Sequence, residues 1–120
     1  MTRVLICGGR DYTGYLHFAS VMAKLKAEHG PFKTVIHGGG TGADWCAHLW
    51  ANSPIGHVEE IEFKADWELF GKSAGPIRNQ RMIDEGKPEL VIAFPGGRGT
   101  ADMVRRAKAA NIETIEVESP

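Results

Sequence analysis

The sequence predicts an α/β domain, a single small Rossmann-like unit with a mostly parallel five-stranded sheet and helices on both faces. Three observations carry that expectation. Short apolar runs alternate along the chain with stretches whose apolar residues recur at helical spacing. The runs lead into glycine-rich loops, so that 12 of the 15 glycines fall in four loops between a strand and a helix. The length of 120 residues suits one domain, since soluble domains run to ~100–200 residues and bury roughly two-thirds of their unfolded surface at this size. No repeat, low-complexity segment or linker interrupts residues 1–120.

Val4 to Cys7 is a short apolar run ending in Gly8-Gly9, the pattern of a strand buried on both faces. Phe18, Val21, Met22 and Leu25 then fall at i, i+3, i+4 and i+7, the stripe of an amphipathic helix that Gly30-Pro31 stops. Thr34 to His37 is a second strand, running into Gly38-Gly39-Gly40. A helix from about Gly42 to Asn52 follows, apolar except for Asp44, His48 and Asn52 on one narrow stripe. So little polar surface predicts that Trp45 or Trp50 is covered by several neighbours, and a homodimer through this helix is one such cover. His57 to Phe63 alternates as a third strand, and Pro76 at a first helical position opens a helix that ends at Gly86-Lys87-Pro88. Leu90 to Phe94 is the fourth strand, Met103, Val104 and Ala107 form the inner face of the last helix, and Ile112 to Val117 is the fifth strand.

Composition narrows the function. Hydrophobic residues make up 42% and charged residues 24% of the chain, ordinary values for a globular protein. Fourteen Lys and Arg against fifteen Asp and Glu give a net charge of −1, without the basic excess expected of a protein that grips nucleic-acid phosphates. No apolar run approaches the ~20 residues a membrane helix needs, and the start of the chain lacks a signal-peptide pattern, so the expected compartment is the cytoplasm. Cys7 and Cys46 then read as small buried hydrophobes.

In a parallel sheet the four glycine loops emerge at the carboxyl edge, where open α/β sheets bind ligands. Glycine lets backbone N–H groups approach an anion closely, and helix N-termini add partial positive charge. Tight turns explain one or two glycines per loop, but explain Gly38-Gly39-Gly40-Thr41-Gly42 and Pro95-Gly96-Gly97-Arg98-Gly99-Thr100 less well. The predicted ligand therefore carries phosphate, as a bound nucleotide would, with or without magnesium. The candidate binding residues are Gly8, Gly9, Arg10, Asp11, Gly38, Gly39, Gly40, Thr41, Gly42, Asp44, Arg78, Asn79, Gly96, Gly97, Gly99 and Thr100. Thr41 and Asp44 also fit a helix capping box. Arg78 and Asn79 are expected in the first turn of a helix at the pocket rim, where an arginine can hold phosphate bidentately. Arg78 and Asp102 are the candidate catalytic residues. Gly71-Lys72-Ser73 lacks the first glycine of a P-loop, and Gly38, Gly40 and Ala43 match a dinucleotide fingerprint after the wrong strand. His37 and His48 show no metal-binding spacing, since Asp44 and His48 at i, i+4 fit a polar helix face.

Cys-Gly-Gly-Arg-Asp-Tyr (7–12), His-Gly-Gly-Gly-Thr-Gly-Ala-Asp (37–44), Ala-Asp-Trp (65–67), Ala-Gly-Pro-Ile-Arg-Asn-Gln-Arg-Met (74–82) and Phe-Pro-Gly-Gly-Arg-Gly-Thr-Ala-Asp-Met (94–103) follow one another in order. Together they resemble the YspA-type branch of the SLOG superfamily, which also holds the DprA/Smf DNA-processing proteins and the Lonely Guy enzymes. The resemblance spans nearly the whole chain and implies a Rossmann-like fold with a site for nucleotides or nucleotide-derived molecules. The Lonely Guy enzymes cleave the N-glycosidic bond of cytokinin nucleoside 5′-monophosphates and carry PGGxGTxxE with an upstream RKxxM segment. Here Pro95 to Thr100 is similar to the glycine loop, and Arg78 to Met82 resembles the upstream segment with Asn79 in place of lysine. The glutamate position is Met103, which has no acid–base chemistry, and Asp102 is one residue early, a rotation of about 100° on a helix. The leading expectation is thus a nucleotide-binding module. A phosphoribohydrolase using Asp102 comes second, and a DprA-like interaction module is disfavoured by the charge.

Overall fold

Successive residues of the first strand face opposite ways, into two separate cores, and that alternation organises the molecule. Val4 and Ile6 pack with Phe18, Met22, Leu25 and Trp50 on one face, while Leu5 and Cys7 pack with Met82, Met103, Val104 and Ala107 on the other. The computed structural model describes residues 2–119. Its elements are β1 (Thr2–Cys7), α1 (Tyr15–His29), β2 (Phe32–His37), α2 (Ala43–Ala51), β3 (Glu59–Glu62), α3 (Trp67–Phe70), a 3₁₀ turn (Gly71–Ser73), α4 (Ala74–Asp84), β4 (Leu90–Ala93), α5 (Arg98–Ala109) and β5 (Glu113–Glu116). The sheet order is β3-β2-β1-β4-β5, and every pair is parallel. The chain winds outwards from β1 through β2 to β3, then returns to β1's other side with β4. Helices α1 and α2 cover one face, α4 and α5 the other. The strand order reverses between β1 and β4, and the crevice beyond their carboxyl ends is where such sheets take ligands. Phe94, the residue after β4, is fully buried and stacks on Phe18 with ring centroids 4.6 Å apart. That contact ties the loop before α5 to α1.

The predicted architecture holds, with the sheet wholly rather than mostly parallel. Four details of the sequence reading need correction. Helix α3 and the following turn occupy a segment expected to be loop. Helix α4 starts at Ala74, which makes Pro76 its third residue; proline is tolerated there because the first-turn N–H groups have no intrahelical partner. Arg78 and Asn79 accordingly lie in the second turn. The third strand is shorter than expected, since His57 adopts a left-handed φ of 43° and stands outside it. Trp50 is 2% exposed and packs edge-on against Phe32, so it belongs to this domain's own core and cannot form an interface; Trp45 is the exposed tryptophan of α2. Cys7 and Cys46 are buried free thiols, as predicted.

Candidate functional site

The loops following β1, β2 and β4 converge on a cleft of about 1030 Å³ at the carboxyl edge of the sheet. Among the residues singled out from sequence, Gly8, Gly9, Arg10, Gly38, Gly39, Gly40, Asp44, Arg78, Asn79, Gly97, Gly99, Thr100 and Asp102 line it. Asp11, Thr41, Gly42 and Gly96 do not. Thr41 turns its hydroxyl away to donate to the Arg10 carbonyl at 3.0 Å, and the cap of α2 is Gly42, at φ 70°. The predicted capping box is therefore not formed: Asp44 reaches back to accept from the Gly40 N–H at 3.0 Å.

The glycines divide by what their missing side chains make room for. A Cβ on Gly8 would stand 2.6 Å from the Ala43 Cβ, and one on Gly38 would lie 2.7 Å from the Arg78 Cζ. At Gly8 the neighbours are Cβ atoms fixed to backbone and close packing demands glycine, whereas at Gly38 the neighbour is the guanidinium end of Arg78, a side chain that an added methyl would displace. Around Gly97 and Gly99, beyond their chain neighbours and the adjoining helix backbone, no atom of the described residues lies within 4 Å of an added Cβ, and neither has a positive φ. The fold leaves these two unexplained.

The backbone donors divide in the same way. Gly9 N–H donates to the Pro95 carbonyl at 2.9 Å, Gly39 N–H to His37 Nδ1 at 3.0 Å, and Gly40 N–H to Asp44. The loops after β1 and β2 thus spend these donors on internal acceptors. At the start of α5 no side chain caps the helix, and the N–H groups of Arg98, Gly99 and Thr100 have no acceptor among the described residues. Anion-binding capacity is concentrated there, where the helix dipole adds to it.

Six cationic side chains, Arg10, Lys64, Lys72, Arg78, Arg98 and Arg105, line the cleft against the carboxylates of Asp44 and Asp102. Arg78 donates from Nη1 to the Gly38 carbonyl at 2.9 Å and from Nε to Asn79 Oδ1 at 3.1 Å. Burial lowers its pKa, with Asp44 opposing that shift. Burial raises the Asp44 carboxyl, partly offset by the Gly40 N–H and by the charge of Arg78. Burial together with Asp44 pushes the Cys7 thiol up to about 12, so it is no nucleophile at neutral pH.

The sequence reading missed Lys64, Lys72, Trp67, Arg98 and Arg105 as parts of this wall. Trp67 is 48% exposed, and the Arg10 guanidinium lies 5.4 Å from its ring centroid. One signal for α3 was present: Asp66 caps it by accepting from the Leu69 N–H at 3.0 Å.

Residues 2–70 match the family described as YspA, cpYpsA-related SLOG family. The chain belongs to that family. It is also similar to the Gene 61 protein of Mycobacterium phage D29, with 36% identity over 122 residues that cover 96% of this chain and 95% of the relative. The family match spans β1 to α3, and the phage relative extends the likeness across nearly the whole chain.

Within this SLOG domain, Asp102 faces the cleft and Met103 is fully buried in the core behind it. Burial raises the Asp102 carboxyl, but hydrogen bonds from Arg106 and Asn79 outweigh it and hold the group below the usual carboxylate range. Oδ2 accepts from Asn79 at 3.0 Å and from Arg106 at 2.8 Å, and Oδ1 pairs with Arg105. Ionised at neutral pH, Asp102 has no proton to donate, so a general-acid role does not fit it.

A second polar cluster lies outside the cleft lining. His37 at the end of β2 and His48 on α2 both turn a ring nitrogen to one oxygen of Glu60 on β3, at 2.5 Å and 2.7 Å. Sequence reading paired His48 with Asp44; its partner is Glu60.

Proposed function

We propose that the cleft binds a nucleotide or nucleotide-derived ligand, with a phosphate at the N-terminus of α5 and the base or sugar towards Trp67 and Asp44. The observation that carries this reading is the open first turn of α5. Its amides lack partners, its Gly97 and Gly99 are not required by packing, and Arg98 and Arg105 flank it. A bound phosphate would satisfy those donors and meet the local excess of positive charge. Membership of the SLOG family supports a nucleotide-related role. With Asp102 engaged by two arginines and Asn79, binding is favoured over hydrolysis, which makes the domain a sensor or carrier of its ligand.

The test is calorimetric titration with nucleoside mono-, di- and triphosphates, NAD, ADP-ribose and ribose 5-phosphate, each with and without magnesium. Selective binding is expected for some of these compounds. Arg98→Ala, on an exposed side chain, should weaken it about tenfold, the value of one charge-assisted hydrogen bond. Failure of every compound to bind, or affinity untouched by Arg98→Ala, would remove this end of α5 from the site.

A further inference from the structure

We propose that His37, His48 and Glu60 form a binding site for a divalent transition-metal ion of the zinc class, on the face of the sheet that α2 covers. Three different elements deliver these residues, and their ligand atoms lie within 4.8 Å of one another. Two imidazoles and one carboxylate form a donor set that zinc-class ions take, with a fourth position left for water. His37 is 1% exposed and so held rigidly, whereas His48 is 41% exposed and leaves the cluster open to solvent on one side. The supporting contact is also in place. Asn52 Nδ2 donates to Glu60 Oε1 at 3.0 Å, which orients the carboxylate and leaves Oε2 to the two histidines.

In the metal-free arrangement both imidazoles aim a ring nitrogen at Oε2. His37 Nδ1 accepts from the Gly39 N–H, so the ring proton of His37 is on Nε2 and points at Glu60. A metal ion bound at His37 Nε2 and His48 Nδ1 requires the opposite tautomer of each ring. The two protons move to His37 Nδ1 and His48 Nε2, and none need leave the protein. His48 Nε2 is then free to face water, but His37 Nδ1–H would oppose the Gly39 N–H. Gly39, at φ 73°, must turn its amide away. Gly39 belongs to a loop that lines the cleft, so metal binding and cleft shape are coupled through one peptide group. The proposal rests on this cluster alone and does not depend on what the cleft binds.

The experiment adds Zn²⁺ to the full chain after removal of adventitious metal by a chelator, with calorimetry for stoichiometry and ¹H–¹⁵N spectra for position. One equivalent per chain is expected, with shifts at the Gly39 amide and at the rings of His37 and His48. His48→Ala and Glu60→Gln should each weaken binding by about tenfold or more, and Asn52→Ala by about tenfold through loss of orientation. Melting curves without metal check that these variants fold, and His48→Ala is the informative one because its side chain is the most exposed of the three. No saturable binding, affinity unchanged in His48→Ala, or a bound ion that leaves the Gly39 amide unmoved would each overturn the assignment. The three side chains would then be a hydrogen-bonded strut between α2, β2 and β3.

Discussion

Gly8→Ala and Gly99→Ala separate a glycine that serves the fold from one that serves the ligand. At position 8 the new methyl would lie 2.6 Å from the Ala43 Cβ and 2.9 Å from the Phe94 Cβ, about 1 Å inside ordinary carbon–carbon contact. Both neighbours are Cβ atoms fixed to backbone and cannot swing aside, so α2 or the end of β4 must shift. Overpacking of this kind costs about 1–3 kcal/mol, a fall in Tm of roughly 5–15 °C for a domain of this length. At position 99 the methyl meets nothing within 4 Å beyond its chain neighbours and the adjoining helix backbone, and the residue is the second of α5. Alanine is the better helix former by up to ~1 kcal/mol in a helix interior, less in a first turn, so Tm should hold or rise by roughly 0–4 °C. The same methyl would crowd a phosphate approaching the first-turn amides, and affinity for whichever nucleotide binds the parent chain should fall about tenfold, ~1.4 kcal/mol. Thermal melts followed by calorimetric titration read both quantities. A Gly99→Ala chain that binds as tightly as its parent would refute the ligand role, and a Gly8→Ala chain that melts with its parent would refute the packing account.

Four further outcomes are expected. Trp50→Ala should cost about 3–5 kcal/mol because its ring fills the core, whereas Trp45 and Leu49 on the outer face of α2 are expected to join two copies. Sedimentation should then give twice the 13.1 kDa chain mass and a single mass for Trp45→Glu; a single mass for the unaltered chain would end that idea. Glu60 is raised by burial but lowered more by hydrogen bonds from His37, Asn52 and His48, so its folded pKa lies below the ordinary 4.5. Its contribution to stability is full above about 4.5 and is lost as pH falls through the lower folded value, because the unfolded chain takes up that proton first; Glu60→Gln should flatten the acid limb of a Tm-against-pH curve. Incubation with nucleoside 5′-monophosphates should release no free base, and release that disappears in Asp102→Asn would restore the hydrolase reading.

The central strands were legible because Val4 to Cys7, Thr34 to His37 and Leu90 to Phe94 are covered on both faces, and such strands must be apolar almost throughout. Helix α3 was not, since four residues from Trp67 to Phe70 are too few to show a helical period and only the Asp66 cap marks them. Thr41 and Asp44 have the spacing of a capping box, yet the turn after β2 seats Gly42 at the cap and frees Asp44 to bind Gly40 instead. The loop glycines singled out for ligand binding can be placed from sequence at strand ends, because tight turns and close approaches are made there. Which of their amides stay free was out of reach, since it depends on Asp44 and His37 folding back onto the Gly38–Gly40 loop. Glu60 was invisible for a related reason. Only the parallel register, which sets Glu60 opposite Val35 and Glu62 opposite His37, brings it to residues 12 and 23 positions earlier in the chain.

Net charge also says less about partners than it first suggests. The chain totals −1, yet the cleft gathers six cations against two carboxylates. Part of the balancing negative charge sits on the two edge strands, as Glu59, Glu60 and Glu62 on β3 and Glu113 and Glu116 on β5. Charged side chains there discourage pairing with another sheet edge, and Glu62 also lies 3.6 Å from the Lys64 ammonium at the cleft wall. The near-zero sum is therefore the difference between two separate local excesses. It argues against a broad basic surface for duplex nucleic acid, while leaving one end of the sheet strongly positive. A small multiply charged anion fits that distribution better than a long polyanion, because acidic edges flank the sheet on both sides of the site and would repel a chain laid across it.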